Sequence, residues 1–236
     1  MSQSEEQEEL QIGRKLSEDI VDDETANNLK RNGTILGVIV VIVLAAVGYM
    51  YYSSSQKEKA SQEASLALSK VLPEFDNGNY SVALDGGVNA MGLEVTGLVN
   101  IANKYSDVSE GKLAALYAGN AYVSTGNFTD AKTYFDKASD SEADLVQSGA
   151  YAGIALCNEE DGNFEQAAEN YSNAANKLNE DILKSKYLYF AALNYEQAGN
   201  KEEAKKIFES IVDLNESSEF GSKSKVKLSM LGTKID

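Results

Sequence analysis

GNFTDAKTYF (Gly126–Phe135), GNFEQAAENY (Gly162–Tyr171) and GNKEEAKKIF (Gly199–Phe208) start 36 and then 37 residues apart. Each holds a Gly-Asn pair, an alanine five residues after the glycine (Ala131, Ala167, Ala204) and an aromatic four beyond that (Phe135, Tyr171, Phe208). Residues four apart share one helical face, and a glycine ahead of them supplies the backbone angles of a tight turn. A second pattern precedes each turn: Ala118-Gly119-x-x-Tyr122, Ile154-Ala155-x-x-Asn158 and Ala191-Ala192-x-x-Tyr195. The arrangement reads as two antiparallel helices joined by a short turn. Small residues let the backbones approach, and the aromatic of the second helix fills the space between one hairpin and the next.

These residues resemble the tetratricopeptide repeat, with small residues and Tyr in the first helix, then Ala and Phe in the second. Three repeats match over residues 112–216, and a degenerate fourth at GNYSVA (Gly78–Ala83) matches only in its turn. The chain departs from the pattern in lacking Trp and a closing proline and in its longer pitch, which predicts longer connections at Ser139–Asp144 and Asn176–Glu180. A helical bundle with coincidental matches is the alternative. Between Ala83 and Val108 the register is lost among Gly86, Gly87, Gly92 and Gly97, although Val95–Tyr105 still reads as helical. Ser218–Leu231 is expected to cap the open end of the stack, with Phe220, Val226 and Met230 as apolar anchors.

Outward from the repeats, TILGVIVVIVLAAVGYMYY (Thr34–Tyr52) is an uncharged run of 19 residues. As a helix it reaches roughly 28 Å, close to the hydrocarbon thickness of a bilayer. Lys30 and Arg31 precede it, and Tyr49, Tyr51 and Tyr52 close its far end, where amphipathic rings favour the headgroup level. A buried helix of a soluble core would normally show a polar face, and this run has none. From Ser53 the helix is expected to continue as a stalk, with Ala60, Ala64, Ala67, Leu68, Val71 and Phe75 on one apolar face; Pro73 and Asp76–Asn79 end or kink it. The expected fold class is all-α: a single N-terminal transmembrane helix followed by a tetratricopeptide-like solenoid of helical hairpins.

Residues 1–29 carry nine acids against Arg14 and Lys15 and read as a disordered tail, although Ile12, Leu16 and Ile20 recur at helical spacing and offer a docking face. The tail is too long and acidic for the first region of a cleaved signal, so the apolar run reads as an uncleaved signal-anchor. Positive charges near the span number four on its N-terminal side and three on the other, a bias that favours a cytoplasmic tail. The organisation is thus a tail (1–29), a span (30–52), a stalk with a degenerate repeat (53–111), three repeats (112–216) and a cap (217–236).

A net charge of −16 argues against nucleic acid and anionic lipid surfaces as partners. The chain has no His, one Cys (Cys157), no phosphate-cradling loop and no nucleophile elbow, so no catalytic, cofactor-binding or metal residues are assigned and no enzyme is expected. Glu159-Glu160-Asp161 reads as a solvated charge cluster, and Cys157 as a packed thiol. What remains is a binding surface. Helix spacing places Leu116, Asn120, Val123, Leu156, Glu159, Tyr189, Leu193 and Glu196 on a concave face of the first helices, about half of them expected to be core. Apolar groups with acidic edges suit a polypeptide partner rather than a small molecule. They do not suit an acidic chaperone tail, which would need Lys and Arg beside Asn120.

The layout also resembles a bacterial family with an acidic cytoplasmic tail, one span and a periplasmic tetratricopeptide-like domain, known as ancillary subunits of the Sec translocon. The resemblance rests on Lys30-Arg31-Asn32-Gly33, Gly48-Tyr49, the stalk Lys59–Ser65 and the stretch Tyr105–Phe135 with Tyr117-Ala118-Gly119 and Gly126-Asn127-Phe128. It implies inner-membrane anchoring and a role in protein export and chaperone hand-over, with translocon subunits, envelope chaperones or exported chains as partners. A structural scaffold subunit of a stable envelope complex is the alternative.

Overall fold

A computed structural model describes residues 23–232. The acidic tail, with Ile12, Leu16 and Ile20, lies outside the described residues apart from its last few positions. In chain order the elements are α1 (Asp23–Asp76), α2 (Tyr80–Asp85), β1 (Gly86–Val88), β2 (Glu94–Thr96), α3 (Leu98–Lys104), α4 (Ser109–Ser124) and α5 (Phe128–Ala138). They continue with α6 (Asp144–Glu160), α7 (Phe164–Asn176), α8 (Asp181–Gln197), α9 (Lys201–Asn215) and α10 (Glu219–Met230). Among the described residues the fold is all-α apart from one short hairpin of strands. By contacts the chain divides into two units after Gln56.

The first unit, as far as it is described, is the N-terminal part of α1. Ile39–Leu44, Val47 and Tyr49–Tyr52 are exposed on every side of the helix, and no part of the apolar window is buried. This helix is long and apolar enough to cross a membrane. A helix of a soluble core would bury such a run, and none of this window is buried among the described residues.

The second unit begins with the rest of α1. Ala64, Leu68 and Val71 are fully or almost fully buried, with Ala60, Ala67 and Phe75 packed beside them. Spaced three and four apart, they form one stripe that meets Ala83, Leu84, Leu98, Ile101 and the Ala114–Ala118 face of α4. Polar bonds pin the same contact: the Ser61 hydroxyl donates to Glu110 at 2.7 Å and the Tyr105 hydroxyl to Glu63 at 3.0 Å. Pro73 does not end α1. It lies one turn from the C-terminus, and the helix runs on to Asp76.

One turn design joins the two helices of every hairpin. Gly78, Gly126, Gly162 and Gly199 all have φ between 74° and 84°. The following asparagine N–H then bonds back to Glu74, Tyr122, Asn158 or Tyr195 at 2.8 Å, closing the first helix with a left-handed residue and a six-to-one bond. Asn127 and Asn200 also open the next helix, their side chains accepting from Asp130 N and Glu203 N. The segment at Gly78 shares this turn and buries Ala83 at the alanine position. Its second helix stops at Asp85, because Gly86 and Gly87 follow with positive φ where the other repeats place helix and aromatic.

Beyond the large cluster around α1, which reaches Tyr134 of α5 and Ala150 of α6, the core continues as smaller ones. Ala131 and Phe135 of α5 meet Ile154 and Cys157 of α6; Ala155, Tyr171 and Ala191 join α6, α7 and α8; Ala192, Ala204, Phe208, Ile211 and Leu228 join α8, α9 and α10. Each hairpin thus packs on the next, as in a stack of repeats. Phe135 shows why small residues are needed: a Cβ on Gly119 would sit 2.6 Å from its ring, and one on Gly153 2.5 Å. The ring is clamped between glycines of two successive first helices.

Two segments differ from expectation. Val95 and Thr96 are strand, paired antiparallel with Gly87 and Gly86, and the helix starts only at Leu98. Gly97 causes this: its backbone passes so close to Leu84 and Gly86 that no side chain fits. In α10, Phe220 packs on Tyr189, but Val226 and Met230 are 57% and 76% exposed. The buried face is Gly221, Ser224 and Leu228, on the opposite side of the helix. Gly221 permits the approach, since a Cβ there would collide with the Asn215 carbonyl.

Candidate functional site

The first helices of the three hairpins, α4, α6 and α8, carry all the residues the sequence nominates for partner binding. In α4, Leu116 leans on Gly149 of α6, where a Cβ would lie 3.2 Å from its side chain, and Val123 packs against the Phe135 cluster. Asn120 is exposed, and its carbonyl accepts from the Ser124 hydroxyl at 2.9 Å. In α6, Leu156 is half-buried. In α8, Tyr189 and Leu193 pack into the last cluster, with the Tyr189 ring centroid 5.6 Å from both Phe208 and Phe220.

The two acids are structural ties. Glu159 accepts from the Tyr171 hydroxyl at 2.9 Å and from Asn194 Nδ2 at 2.5 Å, linking α6, α7 and α8. It is therefore an internal acceptor and differs in kind from its exposed neighbours Glu160 and Asp161. Burial, followed by the Glu159 carboxylate, pushes the Tyr171 hydroxyl far above its ordinary range. Glu196 pairs with Lys227 of α10 at 2.8 Å, both side chains about a quarter exposed (28% and 26%), so this edge is already neutralised within the chain. The structure thus gathers Leu116 and Val123 around the α4–α6 contact, and Tyr189, Leu193 and Glu196 around α8–α10. Asn120 and Leu156 are left to solvent, fully or in part.

Further features escaped the sequence reading. Leu145 and Ile182 stand exposed one residue inside α6 and α8, 37 positions apart, each after an aspartate. Their equal offset from the repeat was the signal available. Val88, Met91 and Leu93 stand exposed on the strand hairpin, where the repeat register gave no guide.

Chemically this face offers apolar and polar contacts. Cys157 is buried, and burial raises its thiol to about 11, which keeps it protonated at neutral pH. No group of three or more His, Cys, Asp or Glu gathers as a metal site among the described residues. A cavity of about 260 Å³ between α3, α4 and α5 has two lysines in its wall, and both are engaged: Lys137 with Asn103 at 2.6 Å and Lys112 with Asp140 at 3.1 Å.

Comparison with known proteins agrees with this architecture. A single tetratricopeptide repeat is matched over residues 185–218. No significant match is found among curated proteins. The model of the tetratricopeptide repeat-like domain matches residues 28–170, from before the apolar segment into the second hairpin. With more than half of its length matched, and with hairpins, turns and aromatic clamps of this form, the chain belongs to the tetratricopeptide repeat-like domain family.

Proposed function

We propose that this protein is a non-enzymatic, membrane-anchored interaction module of the bacterial cell envelope, ancillary to protein export and to chaperone hand-over at the Sec translocon. Repeats of this family point to polypeptide partners. The observation that supports a membrane-anchored module is that the family match covers residues 28–170, so the apolar helix and the first hairpins lie within one matched region. Residues 34–52 are the span in this reading, with the tail cytoplasmic and the repeats periplasmic, as the charge bias across the span favours.

The docking face is the side of α4, α6 and α8 bearing Leu116, Asn120, Val123, Leu156, Glu159, Tyr189, Leu193 and Glu196. Asn120 and Leu156 make the direct contacts, and the remainder contribute the parts of their surface that the internal packing leaves open.

The test is a mild-detergent purification of the full chain after in-cell crosslinking, read by mass spectrometry. Translocon subunits together with soluble envelope chaperones are expected, with crosslinks from Lys15 and from domain lysines reporting opposite sides of the membrane. One envelope complex in fixed ratio, without translocon subunits, would overturn the export role and make the protein a scaffold subunit.

A further inference from the structure

The strand hairpin between α2 and α3 is tied by its own hydrogen bonds, and of its apolar side chains Val95 alone is buried. Its loop is closed around the buried Asn89, whose side-chain oxygen accepts from Met91 N at 3.0 Å and Leu93 N at 2.9 Å. Backbone bonds from Asn89 N to Leu93 O and from Gly92 N to Asn89 O, both 2.9 Å, complete it. At the base, Gly86 and Gly97 touch backbone to backbone: a Cβ on Gly86 would lie 2.7 Å from Gly97 N. This framework holds Val88, Met91 and Leu93 outward at 67%, 75% and 59% exposure. Ordered loops that display large apolar groups are the usual form of a contact site. β1 and β2 pair only with each other among the described residues, so each keeps an outer edge, although the Gly86 N–H is already taken by the Val82 carbonyl.

We propose that this hairpin is a second docking site, separate from the repeat face, which takes an extended apolar polypeptide segment flanked by Lys or Arg as an added strand. The edge supplies main-chain hydrogen bonds, and Val88, Met91 and Leu93 supply apolar contacts for alternate side chains. Charge selects the flanks. From Val71 to Asn103 the chain has no Lys or Arg; its acids Asp76, Asp85 and Glu94 are exposed, while Glu74 is buried and accepts from the Asn79 side chain. The same acids disfavour a second copy of this chain, which would set Asp85 and Glu94 against their own kind.

The experiment uses the full chain in detergent micelles and a labelled peptide of alternating Val and Thr with Lys at each end, read by fluorescence anisotropy against empty micelles. A version with Glu ends and one with N-methylated alternate amides are each expected to bind at least about tenfold more weakly. The double substitution Met91→Ser with Leu93→Ser should cost the Lys-ended peptide a similar factor while leaving the melting temperature unchanged, because both side chains are exposed. Asn120→Ala with Leu156→Ala should leave peptide binding unchanged, which separates this site from the repeat face. Four outcomes would overturn the proposal: no peptide binds; the Met91/Leu93 change is without effect; the Asn120/Leu156 change abolishes binding; or the Met91/Leu93 change instead alters the oligomeric mass in analytical ultracentrifugation, making a second copy the occupant.

Discussion

At the scale of single residues, the stack depends on places where a side chain would not fit. Phe135 is fully buried between Gly119 and Gly153, and neither glycine has positive φ, so the constraint there is space alone. Gly153→Ala is expected to cost about 1–3 kcal/mol by overpacking, read as a lowered urea midpoint of the full chain in micelles. An unchanged midpoint would mean that the ring simply moves aside. Ser224 presents the opposite case: its hydroxyl is fully buried and has no hydrogen-bond partner. Ser224→Ala should hold or raise stability, by up to about 1 kcal/mol, since it removes an unpaid desolvation. Tyr171 sets a pH dependence. Its folded pKa lies above the ordinary tyrosine value of 10.0, through burial and Glu159, so its contribution to stability is full below about pH 10 and is lost as pH rises beyond it. Tyr187 and Tyr195 are raised in the same direction by burial. Circular dichroism followed from pH 9 upward should show alkaline unfolding, with a shallower loss in Tyr171→Phe, where the ring stays but the titrating hydroxyl goes.

At the scale of elements, the turn is the repeating part. Gly162 has φ 74°, and nothing lies within 4 Å of an added Cβ, so substitution there tests backbone conformation without packing. Gly162→Ala is expected to cost about 1–2 kcal/mol from the left-handed conformation alone. Comparable losses at Gly126 and Gly199, checked by the same urea titration, would show one shared turn energy. These turns were legible in the sequence because Gly-Asn recurs at a constant offset from Ala131, Ala167 and Ala204. The segment from Gly86 to Gly97 was not legible. Its strands are three residues long, too short for a period to show, and they form because glycine backbones meet at the base. In α10 the large apolar residues Val226 and Met230 suggested the wrong buried face. The helix instead packs through Gly221 and Ser224, since closeness of approach to α9 counted for more than side-chain size.

At the scale of the whole molecule, the apolar run and the helical hairpins make opposite demands on solvent. Ile39–Leu44, Val47 and Tyr49–Tyr52 expose apolar surface that water does not tolerate, while the repeats keep most of their acids outward, Glu159 excepted. The full chain should therefore stay in the membrane fraction through an alkaline carbonate wash. Val41→Lys with Val43→Lys, each costing about 2.5–3.5 kcal/mol of insertion, should release it. Retention of that variant would point to a different anchor. Sequence alone determined the helical class, the pitch of the hairpins, their glycine turns and the uncharged run, because each of these is written in local spacing. Only the tertiary structure decided which nominated residues stay open. A helix in a stack has neighbours on both sides, so periodicity says which residues share a face without saying what that face meets. Hence Glu159 became an acceptor for Tyr171 and Asn194, Glu196 a partner of Lys227, and Tyr189 a ring in the last cluster, while Asn120 remained at the surface.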